Sequence, residues 1–127
     1  MLSTYIAIGA GGAFGAISRF AIGKVLPTSV FTHFPLTIFL VNAIGCFLMG
    51  VLVEFMGFYW SPSSTIRSFL TTGFLGGFTT FSAFALEFGL LVDKNLHLHA
   101  IFYAISSVMI SIFCFFVGIR IVRFIAI

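Results

Sequence analysis

Long apolar runs alternate with short polar breaks along the whole chain. The breaks are clusters of charge, proline and small polar residues. Lys24 to Pro35 contains Pro27, Thr28, Ser29, Thr32 and His33; Gly57 to Arg67 contains Trp60, Ser61, Pro62, Ser63 and Ser64; Asp93 to His99 contains Lys94, Asn95 and His97. They predict four helices, over residues 5–26, 36–58, 65–92 and 98–124. A membrane-crossing helix needs about 20 mostly apolar residues, and each run is long enough. All three prolines fall between the helices, where a missing N–H does no harm. A spanning β-barrel would show alternating segments of about ten residues instead of unbroken apolar runs.

Composition narrows this further. Of 127 residues, 61% are hydrophobic and 7% charged, against roughly 45–50% and about 25% in a soluble domain. Three acids and six bases cannot clothe a water-soluble globule of this size. The four spans consume nearly the whole length, so residues 1–127 form one all-α integral membrane domain with no separate soluble part. The start of the chain lacks the basic stretch of a secretion signal, and Met1 to Ala10 is expected to remain in the mature protein. The net charge of +3 is not gathered into a basic run, so nucleic acid is not an expected partner; membrane lipid is. Cys46 and Cys114 fall inside spans and are expected to act as small hydrophobes.

Orientation normally follows the lysines and arginines that flank the spans. Arg67, Arg120 and Arg123 collect on one side, and Lys24 and Lys94 on the other, joined by Arg19 if it snorkels. The near balance permits both orientations in one membrane, and hence antiparallel pairing of identical chains.

Within the spans, a few residues break the apolar pattern. In the first helix, Gly11, Gly15 and Arg19 recur every four residues and form one stripe that should face protein, as packing between the subunits of a dimer, or a water-filled vestibule. In the second, Asn42 is the only strongly polar side chain from Ile38 to Val53, and serves either as a donor to an anion or as an interhelical hydrogen bond. The middle of the third, from Thr71 to Phe84, holds three glycines and five hydroxyls. Interior glycine costs about 1 kcal/mol and hydroxyls compete for backbone groups, so this helix is expected to break near Gly76 to Thr80. Broken backbone at membrane depth is tolerated where it lines water, is buried in protein or holds an ion. Phe74, Phe78, Phe81, Phe84 and Phe88 are spaced for one helical face; from spacing alone the expected role is ordinary packing, with the alternative that their electropositive ring edges attract a small anion. The fourth helix carries a polar stripe of Tyr103, Ser107, Ser111 and Cys114, continued by Gly118. His97 and His99 lack the companions of a metal site, and no catalytic triad, phosphate loop or paired intramembrane carboxylates can be assembled, so the chain does not read as an enzyme.

Three segments together, Gly11-Gly12-Ala13-Phe14-Gly15-Ala16-Ile17-Ser18-Arg19, Val41-Asn42-Ala43-Ile44-Gly45 and Thr72-Gly73-Phe74-Leu75-Gly76-Gly77-Phe78-Thr79-Thr80-Phe81-Ser82-Ala83-Phe84, resemble the CrcB/Fluc fluoride channels. The resemblance implies an antiparallel, dual-topology dimer of four-helix subunits in the bacterial plasma membrane, with two fluoride pathways and a central structural sodium ion that is not transported. Carried over by motif, Phe81 and Phe84 supply ring edges, Asn42 an amide donor, and Ser82, Tyr103, Ser107 and Ser111 hydroxyls along a fluoride track. Gly76 and Thr79 offer backbone carbonyls to sodium. The implied role is passive fluoride export: hydrogen fluoride enters uncharged, dissociates, and the anion leaves through an open pore driven by the membrane potential.

The chain departs from that pattern at Ala83 and Ala85, where the family often has hydroxyls, and at Thr37-Ile38, where Gly-Thr commonly precedes the second-helix Asn. The polar track is thinner as a result. A working homodimer is expected, with one half of a heterodimer as the alternative. The competing class is a small multidrug transporter, which relies on an acid in the first helix; here that helix has Arg19, and Glu87 lies late in the third.

Overall fold

In a computed structural model, residues 1–26 and 34–126 are described. Pro27, Thr28, Ser29, Thr32 and His33 of the first expected break lie outside them. The chain is all-helical: α1 (Leu2–Val25), α2 (Leu36–Phe58), α3 (Ser64–Ser68), a π-helical segment (Phe69–Leu75), α4 (Gly76–Phe78), α5 (Phe81–Asp93) and α6 (His97–Ala126). The pieces from Ser64 to Asp93 make up one span, so among the described residues four helices are long and apolar enough to cross a membrane. The protein is a multi-pass membrane protein.

The observed helix ends have local causes. At the start of α3 the Ser63 hydroxyl accepts the Ile66 N–H at 3.3 Å, a side-chain cap. The turn between α5 and α6 is closed by Asn95, whose φ of 60° is the left-handed conformation that asparagine tolerates. Its N–H donates to the Val92 carbonyl at 2.9 Å and that of Leu96 to the Leu91 carbonyl at 2.9 Å. This is the Schellman ending, and Leu96 packs on the cluster containing Leu91, as that motif favours.

Two close pairings organise the bundle. α2 and α6 form the broadest contact, and α1 lies along the first half of the third span. Both depend on absent side chains. A Cβ on Gly50 would strike the Phe115 carbonyl, and one on Gly118 the Phe47 carbonyl, so α2 and α6 meet backbone to backbone. A Cβ on Gly11 would press on Phe69 and Phe74 backbone atoms, and one on Gly15 on those of Phe74 and Phe78. The Gly11 and Gly15 stripe, considered above for a subunit contact, is therefore occupied inside the subunit. The buried cluster of Leu91, Ala100 and Tyr103, joined by Phe34, Phe39, Phe84 and Phe88, fixes α5 against α6.

The π-helical segment was not legible in the sequence. Its wider turn sits where α1 approaches most closely, between Gly11 and Gly15 on one side and Gly73 on the other.

Candidate functional site

The third span breaks at Thr79 and Thr80, both extended, with φ,ψ of −82°, 155° and −154°, 126°. The glycines stand just before the break, and the threonines form it. Thr80 caps α5, its hydroxyl accepting the Ala83 N–H at 3.1 Å, and Thr79 turns its hydroxyl back to the Leu75 carbonyl at 2.9 Å. Asn42 closes the gap from α2. Its Nδ2 donates to the Thr80 carbonyl at 3.0 Å, and its Oδ1 accepts the Thr80 N–H at 2.8 Å. Gly45, one turn along α2, makes room, since a Cβ there would strike the Thr79 methyl group. Asn42 thus holds a backbone that has left the helix, and its amide nitrogen keeps a second proton that this pairing does not use.

The diverted bonds have a consequence for the carbonyls. In a continuous helix the Gly76 carbonyl would accept from the Thr80 N–H, and the Thr79 carbonyl from that of Ala83. The Thr80 N–H goes to Asn42 and the Ala83 N–H to the Thr80 hydroxyl. The oxygens of Gly76 and Thr79 are thereby left without their helical donors, and carbonyl oxygens of this kind suit a hard cation. A hard monovalent or divalent ion fits this donor set; a soft one does not.

Below the break lies an open pocket of about 220 Å³ lined by Asn42, Cys46, Thr79, Thr80, Phe81, Phe84, Ser107, Val108 and Ser111. It gathers Asn42, Phe81, Phe84, Ser107 and Ser111 from three separate spans. Phe81 is 78% exposed in the subunit, with its ring centroid 5.5 Å from that of Phe84 at 47°. Ser107 is 5% exposed, and its hydroxyl has no hydrogen-bond partner.

Other expected residues stand apart. Ser82 is exposed and pairs with the Thr80 hydroxyl at 3.3 Å without lining the pocket. Tyr103 is fully buried behind it, its ring 5.1 Å from Phe84 and set at 90° to Phe34, and its hydroxyl is also unpartnered. The aromatic row expected on one face is divided by the break. Phe74 and Phe78 stack at 6.0 Å with Phe78 buried, whereas Phe81 and Phe84 belong to a helix that starts anew after the two extended threonines. Helical spacing lost its meaning where two extended residues intervened.

Arg19 and Lys24 border a second groove of about 510 Å³ with Gly23 and Thr37. The Arg19 Nε is buried with no hydrogen-bond partner, and Lys24 sits 5.1 Å over the Phe20 ring. Sequence reasoning missed Cys46 as a lining residue, although it is four residues from Asn42 and so on the same face of α2. It also missed the ion pair at the other end of the bundle, where Arg123 Nε donates to Glu54 Oε1 at 2.6 Å. Both cysteines are free thiols.

A multi-span helical bundle with a broken span over a mostly apolar pocket that carries a few polar groups defines a small integral membrane protein, and its relatives narrow the class. The chain matches the family described as CrcB-like protein, Camphor Resistance (CrcB), over residues 6–119, and belongs to it. It is 38% identical over 119 residues to fluoride-specific ion channel FluC 2 of Nitrobacter hamburgensis, covering 94% of this chain and 96% of that one. It is 41% identical over 113 residues to fluoride-specific ion channel FluC of Chelativorans sp., covering 89% and 90%. The FluC of Pyrococcus abyssi is 37% identical over 122 residues, covering 96% and 98%.

Proposed function

We propose that this chain is a subunit of a fluoride-selective ion channel, not an enzyme, which lets fluoride leave the cell passively and so lowers its toxicity. The observation that carries the reading is the pocket at the Thr79–Thr80 break, which Phe81, Phe84, Ser107 and Ser111 line with no basic side chain among the lining residues. Fluoride is small and strongly hydrated, so a pathway must replace its water. The remaining Asn42 N–H and the Ser107 and Ser111 hydroxyls are donors, and the edges of Phe81 and Phe84 add weaker attraction that does not trap the ion. The amides of Phe81 and Ser82, in the first turn of α5, add the positive end of a helix dipole. Tyr103 contributes a buried hydroxyl on a ring packed against Phe84, and Ser82 one that pairs with the Thr80 hydroxyl.

The working unit in this reading is an antiparallel homodimer. Phe81 is too exposed in one subunit to wall a water-free path, and the near balance of flanking charge gives no single orientation. A sodium ion would be held by the Gly76 and Thr79 carbonyls of both copies, where it fixes the broken spans against one another. A heterodimer is the second reading, favoured by the hydroxyls missing at Ala83 and Ala85. The family assignment and an acid-free α1 speak against a small multidrug transporter.

The experiment is fluoride release from liposomes that hold only this purified chain, read by a fluoride electrode beside a chloride control and a Phe81→Ile variant. Fluoride-selective release that the variant loses is the expected result. Equal release of chloride would overturn selectivity, and silence that ends when a homologous subunit co-purifies would transfer the activity to the heterodimer.

A further inference from the structure

We propose that the groove between α1 and α2, bordered by Arg19 and Lys24, binds a phosphate group, carried by an anionic lipid headgroup or free in solution. The groove lies apart from the pocket at the break and does not rest on the channel reading. Arg19 and Lys24 line a space of about 510 Å³ together with Thr37 and Ile38 of α2. No acid is among the lining residues, and residues 27–33, which connect the two helices, contain no Asp or Glu. Glu87 and Asp93 belong to α5, and the ion pair among the described residues joins Arg123 to Glu54 at the opposite end of the bundle. The Arg19 Nε is buried with no hydrogen-bond partner, and the Lys24 Nζ stands 5.1 Å from the Phe20 ring centroid, not on a carboxylate. A charged donor buried without an acceptor is unfavourable, so an anion brought from outside stabilises this end of α1.

The donors suit an anion with several oxygens. A guanidinium presents a planar fork that matches phosphate oxygens two at a time, and an ammonium adds a point charge beside it. Thr37 and Ile38 lie in the first turn of α2, which has neither a side-chain cap nor an acid, so the positive end of that helix favours the same charge. A bare halide is close to a water molecule in size, for which about 30 Å³ is enough, and would fill little of the groove. Depth points to lipid. At 1.5 Å per residue the 24 residues of α1 run about 36 Å, beyond the roughly 30 Å of the hydrocarbon core, so the last turn with Lys24 reaches headgroup level. Arg19 borders the same groove from about 8 Å further down the helix.

The test uses the full chain, delipidated in detergent and exposed to an equal mixture of phosphatidylglycerol and phosphatidylcholine, with retained lipid read by native mass spectrometry. The parent is expected to keep phosphatidylglycerol in preference. That preference should fall about tenfold in Arg19→Gln and about fivefold in Lys24→Gln. It should stay unchanged in Lys94→Gln, which removes the same charge from a residue outside the groove. Lys24 is exposed, so its variant decides the matter where Arg19→Gln does not fold. A second arm reads the melting temperature of the lipid-free protein in inorganic phosphate against chloride, at equal sodium and ionic strength. A rise that Lys24→Gln loses upholds the groove with free phosphate as its ligand, and no rise beside retained phosphatidylglycerol upholds it with the lipid. Equal retention of the two lipids without such a rise, or an equal loss in Lys94→Gln, overturns the site.

Discussion

Asn42 and Thr80 are joined through both backbone groups of the threonine, the amide oxygen taking its N–H at 2.8 Å and the amide nitrogen giving to its carbonyl at 3.0 Å. The amide supplies a strand-like partner to a residue that has left the helix. A buried backbone group without a partner costs about as much as a lost hydrogen bond, so this pairing is what makes the break affordable at membrane depth.

Replacing Asn42 with Ala or Leu removes both partners at once. Each orphaned group costs about 1–3 kcal/mol, so a lower melting temperature in detergent and loss of fluoride release are expected together. Asn42→Asp retains the acceptor for the Thr80 N–H, loses the donor, and places negative charge beside the anion pocket. It should fold better than Asn42→Leu and conduct no better. An Asn42→Leu protein as stable as the parent would show that the pairing holds nothing.

Ser107 predicts the opposite separation. Its hydroxyl is buried and unpaired, so Ser107→Ala removes an unsatisfied group and leaves thermal stability unchanged or slightly raised. Fluoride release is expected to slow, because the pathway loses a donor. A melting curve that falls sharply while transport persists would make the serine structural.

The close approach of α1 to the third span is tested by two glycines of one helix. Gly15→Ala drives a methyl group into the Phe74 and Phe78 backbone, where overpacking costs about 1–3 kcal/mol. Gly9 has nothing within 4 Å of an added Cβ, and Gly9→Ala gains up to about 1 kcal/mol of helix propensity. Unfolding temperatures of the two variants should move in opposite directions from the parent.

Complete replacement of sodium by N-methylglucamine on both sides of the liposome membrane should lower fluoride release and loosen subunit pairing, measured by crosslinking. Restored sodium should restore both. Unchanged release and crosslinking in sodium-free buffer would remove the ion from the Gly76 and Thr79 carbonyls.

The spans were legible because lipid leaves so few options: apolar runs of crossing length must become helices, and their ends follow proline and charge. Expected and observed bounds differ by at most a few residues, as at α1, where the helix begins at Leu2 instead of residue 5. The break was also legible, since glycines and hydroxyls weaken a helix whatever surrounds them. Its position at Thr79 and Thr80 was decided elsewhere, by the reach of Asn42 and the space above Gly45. The same holds for Phe78 and Phe81, neighbours on a helical wheel yet buried and exposed in the fold, because the two residues between them are extended and break the helical register. Local propensity says where a helix is weak. Which oxygen, amide or thiol then meets the broken backbone depends on distant segments brought together, as Cys46 and Ser107 are in one pocket from two different spans. The sequence by itself determined a four-span membrane bundle with a weakened third helix; the tertiary structure alone decided what fills the weakness, because hydrogen bonds and cavities join residues that periodicity cannot relate.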